Sequence, residues 1–136
     1  MSGLTNMLTR AYKQTAVYWG NPQPDGSGGF TFDAPVELSP SDNNGVRWED
    51  KKQILGLIGE DGHGERLLSR AVVYVLQDVD NNGLLYLGEL ADLNSVQKAD
   101  PMTLEDICII KRVEKTPLLG STTEFLRKAY LTPWLS

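Results

Sequence analysis

The chain has 136 residues, which is enough for one domain with a buried core and too few for a large multidomain enzyme. It carries 13 Lys and Arg against 18 Asp and Glu, and the net charge of −5 is the wrong sign for general affinity for nucleic acid. Hydrophobic residues make up 40% of the sequence and charged residues 23%, a balance that excludes wholesale disorder. Because no low-complexity linker interrupts the sequence, we expect one domain spanning residues 1–136.

Cysteine content and hydropathy indicate which cellular compartment is expected for the protein. The single cysteine, Cys108, cannot form an intrachain disulfide, so a reducing compartment is expected. The N-terminus lacks the continuous apolar core of a signal peptide. The longest apolar run, residues 71–76, is far shorter than the ~20 helical residues that span a bilayer, so we expect no membrane insertion.

In the first half of the chain, the patterns predict a short helix followed by strands. Apolar residues at helical spacing favour a helix at residues 3–12. Alternating or β-prone segments predict strands at 16–19, 30–32 and 36–38. The sequence Asp42-Asn43-Asn44-Gly45 ends in Asn-Gly, which readily adopts the positive φ values of a tight hairpin turn. We therefore expect the strand at 36–38 to meet a strand that begins at Val46.

Two glycine-rich stretches are predicted to be loops. Residues 20–29 are rich in proline and glycine but lack the lysine and following helix of a phosphate-binding loop, so we interpret 26–29 as the tip of a hairpin. Residues 56–65 contain four glycines and three acids, a composition that resists both helix and strand. A long mobile loop is expected there.

The second half of the chain gives further strands and two ambiguous segments. Residues 69–76 fit either a buried strand or one face of a helix, and residues 122–130 fit either a short helix or a last strand. Strands are also predicted at 84–87 and 107–113. About six short strands separated by turns predict a mainly β protein, a small antiparallel β-barrel or sandwich with a short N-terminal helix and long loops.

One motif matches a calcium-binding loop. Asp78, Asp80, Asn82, Gly83 and Glu89 fit the complete EF-hand pattern, in which the side-chain oxygens coordinate Ca²⁺ and the glycine makes the sharp turn. The alternative interpretation is a simple hairpin turn at Asn82-Gly83.

The chain contains its own control for this motif. The sequence Asp-Asn-Asn-Gly of residues 80–83 also occurs at residues 42–45. When the calcium-binding pattern is aligned on the second copy, Pro40 and Lys51 fall at ligand positions, and neither side chain can bind calcium. EF-hands also normally occur in pairs, and the β-prone residues before Asp78 make a poor entering helix. We therefore favour the turn and retain an EF-hand-like calcium module as the alternative.

The sequence offers little for catalysis. His63 is the only histidine and lies in the glycine-rich stretch, where nothing holds its side chain for general base work. Cys108 lies in an apolar segment and is interpreted as a buried structural thiol. One histidine and one cysteine cannot form a structural zinc site. We expect no enzymatic activity and no cofactor.

Aromatic residues suggest contacts with other proteins. Residues 125–131 mix aromatic, aliphatic and basic side chains, as the cores of protein interfaces do. Core packing is the alternative explanation for the same residues.

The order of these segments resembles that of small neck proteins of tailed phages, of the head-tail joining or head-closure (stopper) type. The resemblance covers most of the chain and rests on the order of its segments, without a catalytic signature. These features are the helical N-terminal segment, 15–19, the glycine-rich tip 24–32, 46–49, 69–75 and the closing segment 125–131.

The resemblance implies a small antiparallel barrel that forms a homo-oligomeric ring in the virion neck, after assembly in the host cytoplasm. Portal or adaptor proteins would lie above the ring and tail-terminator or tail proteins below it. The ring would close the channel after packaging and let double-stranded DNA pass without sequence-specific binding. A tail-terminator or adaptor ring in the same neck is a further alternative.

The resemblance also implies roles for particular residues. The glycines of the loop would let it rearrange as a channel plug, and its acids would keep DNA from sticking. The plug residues would be Gly56, Leu57, Ile58, Gly59, Glu60, Asp61, Gly62, His63, Gly64 and Glu65. Ring or stacking contacts would come from the N-terminal helix and from Gly26, Gly28, Gly29, Phe30, Phe125, Arg127, Lys128 and Tyr130.

Overall fold

A seven-stranded antiparallel sheet organises the chain, as a computed structural model describes it over residues 11–57, 66–118 and 125–133. Side chains are described for 11–50, 71–118 and 125–133. The strands are β1 (Ala16–Trp19), β2 (Gln23–Pro24), β3 (Phe30–Thr31), β4 (Val36–Leu38), β5 (Arg47–Leu57), β6 (Arg66–Val75), β7 (Leu84–Leu87), β8 (Cys108–Pro117) and β9 (Phe125–Pro133). The expected mainly β class is confirmed.

The sheet is curled, and its two sides approach each other. Its strand order is β4-β1-β7-β8-β9-β6-β5, while β2 and β3 form a separate small hairpin. A single bridge joins Gln14, just before β1, to Val46, just before β5. The ladders of the described strands do not continue through this bridge, so the sheet is sandwich-like and is not a closed barrel.

Successive residues of the strands fill two separate cores. In β1, Ala16 and Tyr18 point into the first core, inside the curl, where they meet side chains such as Val73 and Leu131. Val17 and Trp19 point the other way into the second core. This follows from the two-residue period of a strand, and it explains why all four residues of β1 are buried.

The second core is covered by the segment between β7 and β8. This segment consists of a 3-10 helix at Leu90–Asp92, helix α1 at Ser95–Ala99 and a 3-10 helix at Pro101–Thr103. Asn94 caps α1 by accepting a hydrogen bond from the Gln97 N–H at 2.8 Å. The apolar side chains Leu93, Leu104 and Ile107 then pack onto the outer face of β1, β7 and β8.

The expected hairpin at residues 42–45 is wrong. The strand at 36–38 pairs with β1, and β5 pairs with β6. Asn43 does take a left-handed conformation, with φ 54°, but it ends the 3-10 helix Pro40–Asp42 instead of joining two paired strands. The turn signal was local, while the pairing was decided by burial of β1 between two neighbours.

Other expectations are settled or lie outside the described residues. The ambiguous segments 69–76 and 122–130 belong mainly to strands β6 and β9. Gly56 and Leu57, expected in the loop, are part of β5, because the ladder to β6 continues to the pair Leu57 and Arg66. Most of the helix expected at 3–12 lies outside the described residues, as do residues 58–65. None of the helices described is long and apolar enough to cross a membrane.

Candidate interaction surface

Basic residues are concentrated on the four longest strands. Strands β5, β6, β8 and β9 carry ten Lys and Arg and only three Asp and Glu. The remainder of the chain carries three Lys and Arg against fifteen Asp and Glu. The protein is acidic overall, yet one half of its sheet is strongly basic.

Strand register brings part of this charge onto one face. Val73, Ala129 and their neighbours face the first core, so the alternate residues of the same strands face outward. Across the strands, Tyr74 is the partner of both Arg47 and Lys128. One step along, Tyr130 is the partner of Arg112. We call Arg47, Tyr74, Arg112, Lys128 and Tyr130 the basic-aromatic surface.

Each cation of the basic-aromatic surface lies near an aromatic ring. Lys128 Nζ is 5.7 Å from the centre of the Tyr74 ring and 5.8 Å from that of Tyr130. The Arg47 guanidinium lies 5.9 Å from the Tyr74 ring and that of Arg112 lies 6.0 Å from the Tyr130 ring. These separations are within the range of cation-π attraction, which orders the long side chains.

Two carboxylates are interspersed with the cations. Arg47 pairs with Glu49 at 2.9 Å and Arg112 pairs with Glu114 at 3.4 Å, and both arginine side chains remain more than half exposed. Burial alone would lower the pKa of Lys128, but Tyr130, Tyr74 and Glu114 outweigh it and raise the pKa. Lys128 therefore keeps its positive charge at neutral and mildly alkaline pH.

Two further basic residues, Lys115 of β8 and Arg127 of β9, form a second cluster at the end of the sheet. Arg127 Nε donates to Asp78 Oδ1 at 2.7 Å, and Lys115 Nζ lies 3.2 Å from the same oxygen. Lys115 Nζ is also 4.4 Å from the centre of the Phe125 ring. Hydrogen bonds first from Arg127 and then from Lys115 lower the pKa of Asp78. We call these four residues the end cluster.

The predicted interface of β9 is divided between the two faces of the strand. Phe125 and Arg127 belong to the end cluster on the core side, whereas Lys128 and Tyr130 belong to the basic-aromatic surface. Sequence reasoning missed their partners Arg47, Tyr74, Arg112 and Lys115. The alternation of charged and apolar residues along β5 and β8 was the signal that could have indicated them.

The glycine-rich tip is the hairpin that the sequence predicted. Asp25 Oδ1 accepts hydrogen bonds from the N–H groups of Ser27 and Gly29, at 2.7 and 3.0 Å. Gly26 and Gly28 have φ values of 83° and 88°, which favour glycine. Phe30, at the base of this hairpin, lines a groove of about 460 Å³ together with Trp19, Phe32, Pro35 and Pro101.

The calcium motif is split between two separate sets of contacts. Asp78 belongs to the end cluster, whereas Asp80 Oδ2 accepts hydrogen bonds from the Tyr18 hydroxyl and the Asn21 N–H. Asn82 has a φ of 68° and lies in a turn closed by a hydrogen bond from the Gly83 N–H to the Asp80 carbonyl.

The elements around the motif differ from those of a calcium module. Strand β6 precedes the motif and strand β7 lies within it, where a calcium module predicted flanking helices. Glu89 instead leads into a 3-10 helix. Across the part of the chain that the structure describes, no group of three or more His, Cys, Asp and Glu is placed to hold a metal.

The remaining candidates are placed as follows. Cys108 begins β8 and is half-buried rather than fully buried, and its thiol lies 3.8 Å from the Asp106 carbonyl oxygen. His63 lies outside the described residues, with the rest of residues 58–65. This stretch connects the ends of β5 and β6, two long strands that pair up to Leu57 and Arg66.

Comparison with known proteins found no relative of this chain. No protein-family model, no curated protein and no solved structure matches the chain.

Proposed function

We propose that the chain is a structural protein of a tailed-phage neck, without enzymatic activity, that joins the head to the tail and closes the DNA channel after packaging. It forms a homo-oligomeric ring in the virion, below the portal and adaptor and above the tail-terminator or tail proteins. Double-stranded DNA passes through this ring without sequence-specific binding. A tail-terminator or adaptor ring is the closest alternative within the same class of protein.

The observation that carries the proposal is the division of charge over one curled sheet. A joining protein needs different faces for different neighbours, and charge complementarity selects partners and fixes their orientation. Here the basic residues lie on four neighbouring strands, and the other strands and connections are acidic. The resemblance of the segment order to that of phage neck proteins is the reason for assigning this charged, joining surface to the neck.

The long β5 and β6 pair supports the closure role. These strands have eleven and ten residues, and residues 58–65 connect their ends. That connection contains Glu60, Asp61 and Glu65 and no Lys or Arg. When a ring repeats these acids around a channel, they repel the DNA phosphates, so the duplex slides instead of adhering.

Disruption of the gene tests the proposal. The reading frame is interrupted in the genome that carries it, and the lysate is examined by negative-stain electron microscopy. Emptied heads beside free tails of normal length are the expected result, and the wild-type gene supplied in trans should restore joined particles. Intact infectious particles would overturn the proposal, while tails of abnormal length would favour the tail-terminator alternative.

A second variant separates closure from joining. Residues 58–65 are replaced by a two-residue Asn-Gly turn, which suits a β-hairpin. We expect heads that lose their DNA although the variant still enters the neck. Stable filled heads with the shortened connection would contradict the assignment of this loop as the plug.

A further inference from the structure

The acidic part of the chain includes one compact feature, the connection between β7 and β8. Residues 89–106, which we call the acidic segment, contain five acidic residues and one lysine. The five acidic residues are all exposed; they are Glu89, Asp92, Asp100, Glu105 and Asp106. Val96 in helix α1 is also 64% exposed, an unusual position for a large apolar side chain.

The acidic segment and the basic-aromatic surface lie on different parts of the same outer sheet face. The acidic segment covers β1, β7 and the start of β8, through apolar residues such as Leu93 and Leu104. The basic-aromatic surface lies on β5, β6, β9 and the later part of β8. Within the described residues, the ion pairs of Arg47 and Arg112 are made with Glu49 and Glu114 and not with the acidic segment.

We propose that the basic-aromatic surface of one copy binds the acidic segment of a second copy. The inference rests on the proposed function in one respect, because this contact is the one that builds the proposed ring. The exposed guanidinium groups of Arg47 and Arg112 meet carboxylates of the neighbour, and the exposed Val96 packs against the half-buried Tyr74 and the aliphatic parts of the charged side chains. Because the two contact regions differ, the association is head to tail. An open assembly therefore keeps one free basic-aromatic surface at one end and one free acidic segment at the other.

The composition of the basic-aromatic surface favours a protein partner over DNA. Glu49 and Glu114 lie among the cations and pair with them, so the surface is not the uninterrupted basic patch that is typical of binding to a phosphate backbone. Tyrosine and arginine are enriched at the centres of protein interfaces. Val72 and Tyr130 are already buried, so the long charged side chains around them make the contact.

Two charge-reversed variants of the full chain test this contact. The first is Arg47→Glu with Arg112→Glu, since both side chains are more than half exposed. The second is Glu105→Lys with Asp106→Lys, two exposed residues of the acidic segment. Association is measured by sedimentation at rising protein concentration, in low and in high salt. Circular dichroism melting confirms that each variant is folded.

The wild type should associate, and its association constant should fall at least about tenfold in high salt because exposed charges are screened. Each variant alone should lose association by at least about tenfold. An equimolar mixture of the two should recover it, since each variant supplies the charge that the other needs. A wild type that stays monomeric at all concentrations, or a mixture that fails to associate, would overturn the proposal.

DNA binding is tested in the same preparations. A short DNA duplex is titrated into wild-type protein at low salt. Binding of the duplex that the Arg47→Glu, Arg112→Glu variant abolishes, without salt-sensitive self-association, would assign the surface to nucleic acid and overturn the inference. The gene disruption could still give emptied heads and free tails in that case, so failure of this contact and failure of the neck function are distinguishable.

Discussion

Tyr18 and Asp80 exchange two hydrogen bonds although they are 62 positions apart in the chain. The Tyr18 hydroxyl accepts from the Asp80 N–H at 2.8 Å and donates to Asp80 Oδ2 at 3.1 Å. The same carboxylate accepts from the Asn21 N–H at 2.9 Å. These bonds fix the turn before β7 to strand β1 and satisfy polar groups that are partly buried.

Removal of the Tyr18 hydroxyl should destabilise the protein. We expect Tyr18→Phe to lower the free energy of unfolding by about 2 kcal/mol, because the partly buried Asp80 N–H loses its partner and the Asp80 carboxylate loses one of its two donors. Urea denaturation measures the difference. Tyr86→Phe is the matched control, since Tyr86 is half-buried against the second core, and a change within about 0.5 kcal/mol is expected there. Equal losses in the two variants would contradict the role assigned to the pair.

The same tyrosine should make stability depend on alkaline pH. Burial, more than the neighbouring Asp80, raises the pKa of Tyr18 to about 12 from its ordinary 10.0. Because the folded pKa lies above the unfolded one, the stabilisation is complete below about pH 10 and is lost as the pH rises through about 12. Denaturation midpoints between pH 8 and 12 should fall less steeply in Tyr18→Phe. A residual fall should remain, because burial also raises the pKa of Tyr12.

Calcium should leave the protein unchanged. Asp78 is held by Arg127 and Lys115, and Asp80 is held by Tyr18, so their carboxylates do not converge on one ion. We expect the melting temperature to be the same in millimolar calcium and in EDTA. A rise with calcium that Asp78→Asn or Glu89→Gln abolishes would restore the calcium-binding alternative.

Two glycines should respond very differently to alanine. A Cβ at Gly45 would clash with the backbone carbonyl of Tyr12, whereas a Cβ at Gly26 would meet open space. Gly45→Ala should therefore cost about 2 to 3 kcal/mol through displaced backbone, and Gly26→Ala about 1 kcal/mol through its positive φ alone. Chemical denaturation of both variants checks the order, and a larger loss at Gly26 would contradict it.

The sequence was most informative where local pattern and burial agree. The strands predicted at 16–19 and 84–87 coincide with β1 and β7 because each is a short apolar run. The glycine-rich tip was equally clear, since its turn is made by local bonds to Asp25. In such segments the residues nearby in sequence decide the structure.

The sequence was least informative where distant strands decide the outcome. The turn at 42–45 was recognised, but its strands were assigned to each other because nothing local indicates that 36–38 pairs with β1. Helix α1 was missed, since five residues held by a polar cap show no apolar periodicity. The basic-aromatic surface was only half found, because Arg47, Tyr74 and Lys128 meet through strand pairing across the sheet.

The position of β9 has a consequence for synthesis of the protein. Strand β9 lies in the middle of the sheet, between β8 and β6, although it is the last of the described strands in chain order. Until residues 125–133 have left the ribosome, no strand of the sheet connects the β5 and β6 pair to β1, β7 and β8, and the link that the structure shows between them is the bridge from Gln14 to Val46. Folding of the sheet therefore waits for β9, and a nascent chain stalled before β9 exposes to chaperones two half-sheets that a single bridge joins.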